Sequence, residues 1–342
     1  MRLLSILICF VLFQTLSAAD TLTISQEESK ILPGKGLAYF EDNTSKLDIT
    51  SIKNQKFLRY NHDQLNFGWN AKTVWFRFHL NNKDIKEQIV FQIAYPLLDE
   101  VEIWSNSSDT QYHRLTGDIF PYRTRDVASP YFVFNLPVKA GNTAEIFVRV
   151  KSVSSMQMPM SIYSQSQYLR QVQLSNFWFG IYYGFLLVMI FYNLFIYSTL
   201  KDIRYIFYSA SIFCSLFFFS TIHGHAAYWI WPNSVKWNQI SIHVAMNLLT
   251  LTSAVFTYSF LNLPRFAPKY KYVVAATAVA GFMGVILTFI IPVYVLTKIS
   301  TFVIMLDAIA LTAAGFIAWK AGNKYARLFV AAWICYLLGR SE

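Results

Sequence analysis

The chain has 342 residues, 55% of them hydrophobic and 14% charged, with 30 Phe, 21 Tyr and a mean hydropathy of +0.35. That composition excludes a disordered chain, which needs low hydrophobicity and high charge, and apolar runs of about 20 residues in the second half argue against a wholly soluble one. The net charge of +10 is unevenly spread: residues 20–176 carry 17 basic and 16 acidic side chains, residues 177–342 carry 11 and 3. The excess falls between apolar runs, where membrane topology places it, and gives no footing to a nucleic-acid partner.

In chain order, residues 1–19 open with Arg2, continue through apolar Leu3–Phe13 and end in Ser17-Ala18-Ala19. This is the pattern of a signal peptide cleaved before Asp20, so the segment that follows is exported. Residues 20–173 read as one β-rich domain. Val74, Phe76, Phe78 and Leu80 alternate with Trp75, Arg77 and His79, and the same period of two recurs at Ile89–Ile93, Val101–Ile103, Phe132–Leu136 and Ala144–Val150. Turn residues separate these runs, as at Asn81-Asn82-Lys83-Asp84 and Gly141-Asn142. Short alternating strands without helical patterns between them predict an antiparallel sandwich. The three cysteines, Cys9, Cys214 and Cys335, all lie in apolar runs, so this domain has no disulfide framework.

From Phe177 apolar runs predict membrane spans over 177–199, 205–222, 239–261, 273–291 and 299–319. A sixth run, 328–339, reads as a partial span, because twelve residues rise only about 18 Å as a helix. Loops after the first, third and fifth spans hold Lys201, Arg204, Arg265, Lys269, Lys271, Lys320, Lys324 and Arg327, whereas the opposite loops hold Lys236 and Lys298. The leader and the loop charges agree: residues 20–173 lie in the periplasm and the basic loops in the cytoplasm.

No phosphate-binding loop, nucleophile elbow or paired-cysteine site is present, so no catalytic residue, cofactor or metal is expected. His223, His225 and His243 form the nearest metal-like grouping, with interfacial contacts to loops or headgroups as the plainer reading. Asp307, the one acid inside an apolar run, is either a transport ligand or, more plainly, bonded to a neighbouring helix through His243 or Asn247. In the exported domain Trp75, Arg77, His79 and Trp104 occupy polar strand faces, where aromatic rings flanked by donors suit a sugar-like ligand; packing beneath a neighbouring loop or helix, or against the membrane surface, is the alternative. Arg123 and Arg125 could clamp a carboxylate or phosphate, or sit in a solvated loop. Asp99, Glu100 and Glu102 point alternately to opposite faces, which weakens a calcium reading.

The order of elements resembles the bacterial seven-transmembrane receptors with diverse intracellular signalling modules, in their type-2 extracellular form. The likeness rests on Trp75-Phe76-Arg77-Phe78, on Tyr95-Pro96-Leu97-Leu98-Asp99-Glu100-Val101-Glu102-Ile103-Trp104, and on Tyr182-Tyr183-Gly184 with Phe191-Tyr192-Asn193-Leu194-Phe195. Asp202-Ile203-Arg204-Tyr205, Gly224-His225-Ala226-Ala227-Tyr228 and Trp231-Pro232 extend it along the membrane block. The resemblance implies a jelly-roll sensor domain, seven spans and a cytoplasmic output such as a kinase, cyclase or phosphatase. The expectation is therefore a periplasmic all-β jelly-roll-like sandwich followed by an α-helical transmembrane bundle. It would act as the input part of an inner-membrane receptor, not as an enzyme, with its output module absent. Its partners would be a small, carbohydrate-like periplasmic ligand, the lipid bilayer, and a second copy or a separate signalling effector. The rival is a membrane transporter or channel built on the helical block.

Overall fold

A computed structural model describes residues 21–338 of the chain apart from 35, 70, 71, 108, 109 and 154, with the backbone alone for 335–338. The leader assigned to 1–19 lies outside the described residues, as does residue 339, the last of the sixth run. The chain divides into two compact units, Met1–Arg170 and Gln171–Glu342.

In the first unit the alternating segments form strands. Those used below are β1 (Thr21–Ile24), β2 (Lys30–Ile31), β3 (Ala38–Asp42), β4 (Leu58–Arg59), β5 (Asn66–Trp69), β6 (Thr73–Asn82), β7 (Ile89–Ile93), β8 (Glu100–Ser107), β9 (Gln111–Thr116), β10 (Phe132–Leu136), β11 (Thr143–Lys151), β12 (Ser155–Gln157) and β13 (Met160–Ser164). One sheet runs β4-β3-β6-β11-β8-β9 with β1 parallel to β6; a second runs β10-β7-β13-β2; β12 pairs with β5. Phe76 and Phe78 of β6, Ile103 of β8 and Val148 of β11 meet Phe91 of β7, Phe134 of β10 and Ile162 of β13 in one buried core. The two sheets thus form a sandwich, and the period of two in sequence is the period of its inner faces.

A smaller apolar cluster covers the other face of the larger sheet. Helix α1 (Ile49–Ile52) brings Ile52, together with Phe57, onto Trp75 and Phe147. Asp48 starts that helix by accepting a 2.8 Å hydrogen bond from the Ser51 amide. Its bonds from Ser51 and Thr50 hold the carboxyl down at about 2.

The second unit is helical: α2 (Gln165–Leu200), α3 (Arg204–Ile222), α4 (His225–Trp229), α5 (Val235–Phe260), α6 (Leu263–Phe266), α7 (Lys271–Leu287), α8 (Val293–Lys320) and α9 (Lys324–Leu338). Helices α2, α3, α5 and α8 are long and apolar enough to cross a membrane. Two boundaries differ from the sequence reading. Residues 165–173, assigned to the sandwich, already belong to α2, because the Ser164 hydroxyl caps the Gln167 amide and Glu87 accepts from the Ser166 amide at 2.8 Å. The span expected over 273–291 is a helix of 17 residues that stops at Leu287. Residues 288–291 turn ahead of Pro292, and hydropathy alone cannot register a turn made of Phe289, Ile290 and Ile291.

Polar side chains join α5 to α8 at three levels. His243 Nε2 lies 3.2 Å from the Thr297 hydroxyl, Asn247 donates to Ser300 Oγ at 3.0 Å, and Ser253 donates to Asp307 Oδ2 at 2.9 Å. Helix α7 closes on α5 through two glycines: a Cβ on Gly281 would stand 2.8 Å from the Asn247 carbonyl oxygen, and one on Gly284 would stand 2.5 Å from Asn247 Cγ. Small residues at the contact and hydrogen bonds across it are how helices associate where water offers no hydrophobic drive.

Candidate ligand-binding site

Strand register arranges the outer face of the larger sheet in rows. One row runs Trp75, Arg149, Glu102, Leu115; the next runs Arg77, Phe147, Trp104, His113. Three rings stack from the interior outward: Trp75 on Trp104 at 5.3 Å between centroids, and Trp104 on His113 at 5.1 Å. Trp75 is fully buried beneath Ile52 and Phe57, so it anchors the stack and touches no ligand. Alternation puts it on the outer face, and α1, about twenty residues upstream, is the helix that roofs it. Arg77 is likewise committed, its Nε donating to Glu145 at 2.8 Å and its guanidinium lying over the Phe57 and Phe147 rings. His79 stands 4.0 Å from the same carboxylate. Of the four strand-face candidates, Trp104 is the one that reaches the rim, through His113. Glu100 and Glu102 share a face, as alternation requires, where both accept from Arg149 and Glu100 also meets Lys151 at 3.3 Å.

At the sheet edge, β9 and the turn Tyr122–Thr124 enclose an open cleft of about 500 Å³. Arg125 builds the turn. Its NH1 donates to the carbonyls of Ser129, Pro130 and Tyr131 at 2.9, 2.7 and 3.1 Å, and its guanidinium lies between the rings of Tyr122 and Phe132 at 4.3 and 4.6 Å. Tyr122 donates to the Ser129 carbonyl as well. Thr124 Oγ1 is 3.0 Å from Thr116 Oγ1, which ties the turn to the end of β9. Arg125 is therefore a positioning residue, whereas Arg123 is exposed and faces the cleft. Across from it Arg114 reaches Asp126 through Nε at 3.4 Å. Asp126 Oδ2 already accepts from the Tyr112 hydroxyl at 3.0 Å and the Asn135 amide at 2.8 Å. His113 and Arg114 of this cleft escaped the sequence reading, since β9 ends in Arg114-Leu115-Thr116 and shows no clean alternation; their only signal was proximity to Arg123 and Arg125.

Behind the cleft lies a pair of acids. Gly117 presses against the Asp99 backbone so closely that a Cβ would fall 2.6 Å from the Asp99 carbonyl carbon. That approach brings the Asp118 amide to the Leu98 carbonyl at 2.9 Å and the two carboxyl groups into hydrogen-bond contact. Asp99 Oδ2 accepts from the Val153 amide at 2.6 Å, and Asp118 Oδ1 is buried without a hydrogen-bond partner. Burial, reinforced by the Asp99 charge, pushes the Asp118 carboxyl well above the usual range, and burial raises Asp99 too. Burial and the two neighbouring acids push the Tyr95 hydroxyl up to about 12.

In the membrane block the Asp307 carboxylate accepts from Ser253 and the His243 ring meets Thr297, while the Asn247 side chain donates to the His243 backbone carbonyl at 2.9 Å and to Ser300. His223 and His225 sit among Phe179, Tyr183 and Phe219, with His225 Nδ1 2.9 Å from the Tyr183 hydroxyl. Among the described residues no three His, Cys, Asp or Glu side chains gather as metal ligands would.

A sandwich with an open cleft, joined in one chain to several membrane-length apolar helices, defines a multi-pass membrane protein with an extracellular domain. Two family descriptions match it: "7TMR-DISM extracellular 2" over residues 34–164 and "7TM diverse intracellular signalling" over 175–341. The chain belongs to the 7TMR-DISM receptor family. No individual curated protein matches it.

Proposed function

We propose that this chain is the sensor part of a bacterial inner-membrane receptor. After removal of the leader at 1–19, its jelly-roll-like sandwich stands in the periplasm and takes a small, carbohydrate-like ligand at the β9 edge. The observation that carries the reading is the open cleft, built by Arg125, on an extracellular family domain that shares its chain with a membrane block of the signalling family. Ligand binding moves the helices only insofar as the ligand prefers one arrangement of the sandwich. The chain itself catalyses nothing; it hands its signal to a cytoplasmic effector, with a second copy of the chain as the natural route. The polar contacts between α5 and α8 serve packing in this reading, since His243, Asn247 and Asp307 each meet a hydroxyl across the α5–α8 contact.

The test is a chimaera in which a diguanylate cyclase follows the membrane block, expressed in cells lacking related receptors. Cyclic-dinucleotide output should change when neutral and acidic sugars are supplied outside, and the change should vanish when residues 34–164 are replaced by an unrelated exported domain. An active chimaera that ignores every sugar contradicts the proposal.

A further inference from the structure

We propose that the β9 cleft is an anion site, specific for a small sugar acid or sugar phosphate held between Arg114 and Arg123. The inference rests on the sensor reading above and narrows its ligand class. Its volume, about 500 Å³, is that of a small-molecule site. Its lining carries three arginines against a single carboxylate, Asp126, and so is positive overall.

On the sheet faces the cations are already paired, whereas those facing the cleft are not fully so. Arg77, Arg149, Lys151 and Lys72 each face a carboxylate within 3.3 Å. Arg123 has no hydrogen bond or ion pair among the described residues, and Arg114 places Nε on Asp126 at a long 3.4 Å with its guanidinium over the Tyr112 ring. The terminal nitrogens of both guanidinium groups are thus left with donors to give. The single carboxylate of the lining, Asp126, accepts from Tyr112 and Asn135 at Oδ2 and meets only the Nε of Arg114 at Oδ1. A neutral sugar needs acceptors as well as donors from its site; this lining supplies donors, which a carboxylate or phosphate matches two at a time.

The site is also rigid before any ligand arrives. Arg125 fixes the turn that carries Arg123, and the Thr124–Thr116 contact fixes that turn to the strand that carries Arg114. The backbone that carries both arginines is therefore ordered in advance, which leaves only their side chains to be fixed by a ligand. At the rim the half-exposed His113 ring, backed by Trp104 and Trp75, offers a flat surface on which a sugar ring can lie.

The experiment is calorimetric titration of the full chain in zwitterionic-lipid nanodiscs with D-galacturonate, inorganic phosphate and neutral D-galactose. Galacturonate or phosphate should bind and galactose should not. Whichever acid binds identifies the carboxylate or the phosphate arm. R114Q and R123Q should each weaken that binding about tenfold or more, with the melting temperature unchanged. Binding of galactose as strong as that of the acids, acid binding indifferent to both substitutions, or no binding of either acid would overturn the inference. In the last case a chimaera that still answers neutral sugars leaves the sensor reading standing, so the two failures are distinguishable.

Discussion

Replacing Arg125 tests whether the cleft is built as described. The side chain makes three hydrogen bonds from one nitrogen to the carbonyls of residues 129–131 and inserts its charge between two rings, contacts that outweigh the cost of an Nε buried without a hydrogen-bond partner. A charge-assisted bond contributes about 1.5–3 kcal/mol and a desolvated cation–π contact about 2 kcal/mol. R125A should therefore cost about 3–5 kcal/mol, a large share of the 5–15 kcal/mol typical of a domain. For a unit of this size that lowers the melting temperature by roughly 10 °C. R125K keeps the charge but loses the planar fork, and should fall between the two. The transition can be followed in the full chain by tryptophan fluorescence, since buried Trp75 and its stacked partner Trp104 report on the sandwich. An R125A protein melting within about 2 °C of the parent would refute the role assigned to this side chain.

Three further outcomes follow from the same structure. Asp118 and Asp99 have folded-state values raised by burial, so the folded chain binds more protons than the unfolded one as each titrates; their contribution to stability falls as pH rises through those values. D118N should remove this penalty, donate to Asp99 in place of the lost proton, and raise the melting temperature at about pH 8 more than at about pH 5; equal shifts at both would contradict the shared-proton pair. G284A should destabilise the helical block by about 1–3 kcal/mol, because its Cβ overlaps the Asn247 side chain. N247A should relieve much of that cost in the double variant, and purely additive losses in a denaturation cycle would show that the two residues do not share this contact.

The sandwich was legible because strands with one buried face must alternate: Phe76, Phe78, Phe91 and Phe134 announce their inward direction in the residue count alone. The membrane helices were legible because bilayer thickness fixes their length, although the stop at Leu287 was not, since a turn written in Phe and Ile looks like more helix. The site was only half legible. Arg123 and Arg125 stand two residues apart and look equivalent in sequence. Their separation into a cleft-facing cation and a buried clamp depends on which carbonyls and rings the turn brings near, and these come from residues 129–132. Trp75 failed as a ligand candidate for a similar reason: its cover, Ile52 and Phe57, lies some twenty residues away.

The arrangement of sandwich outside and basic loops inside is most directly tested by labelling single cysteines with a membrane-impermeant reagent in intact cells. In a background where Cys9, Cys214 and Cys335 are serine, H113C and K236C should label and K269C should label only after the cells are permeabilised. Labelling of K269C in intact cells as rapid as that of H113C would contradict the account.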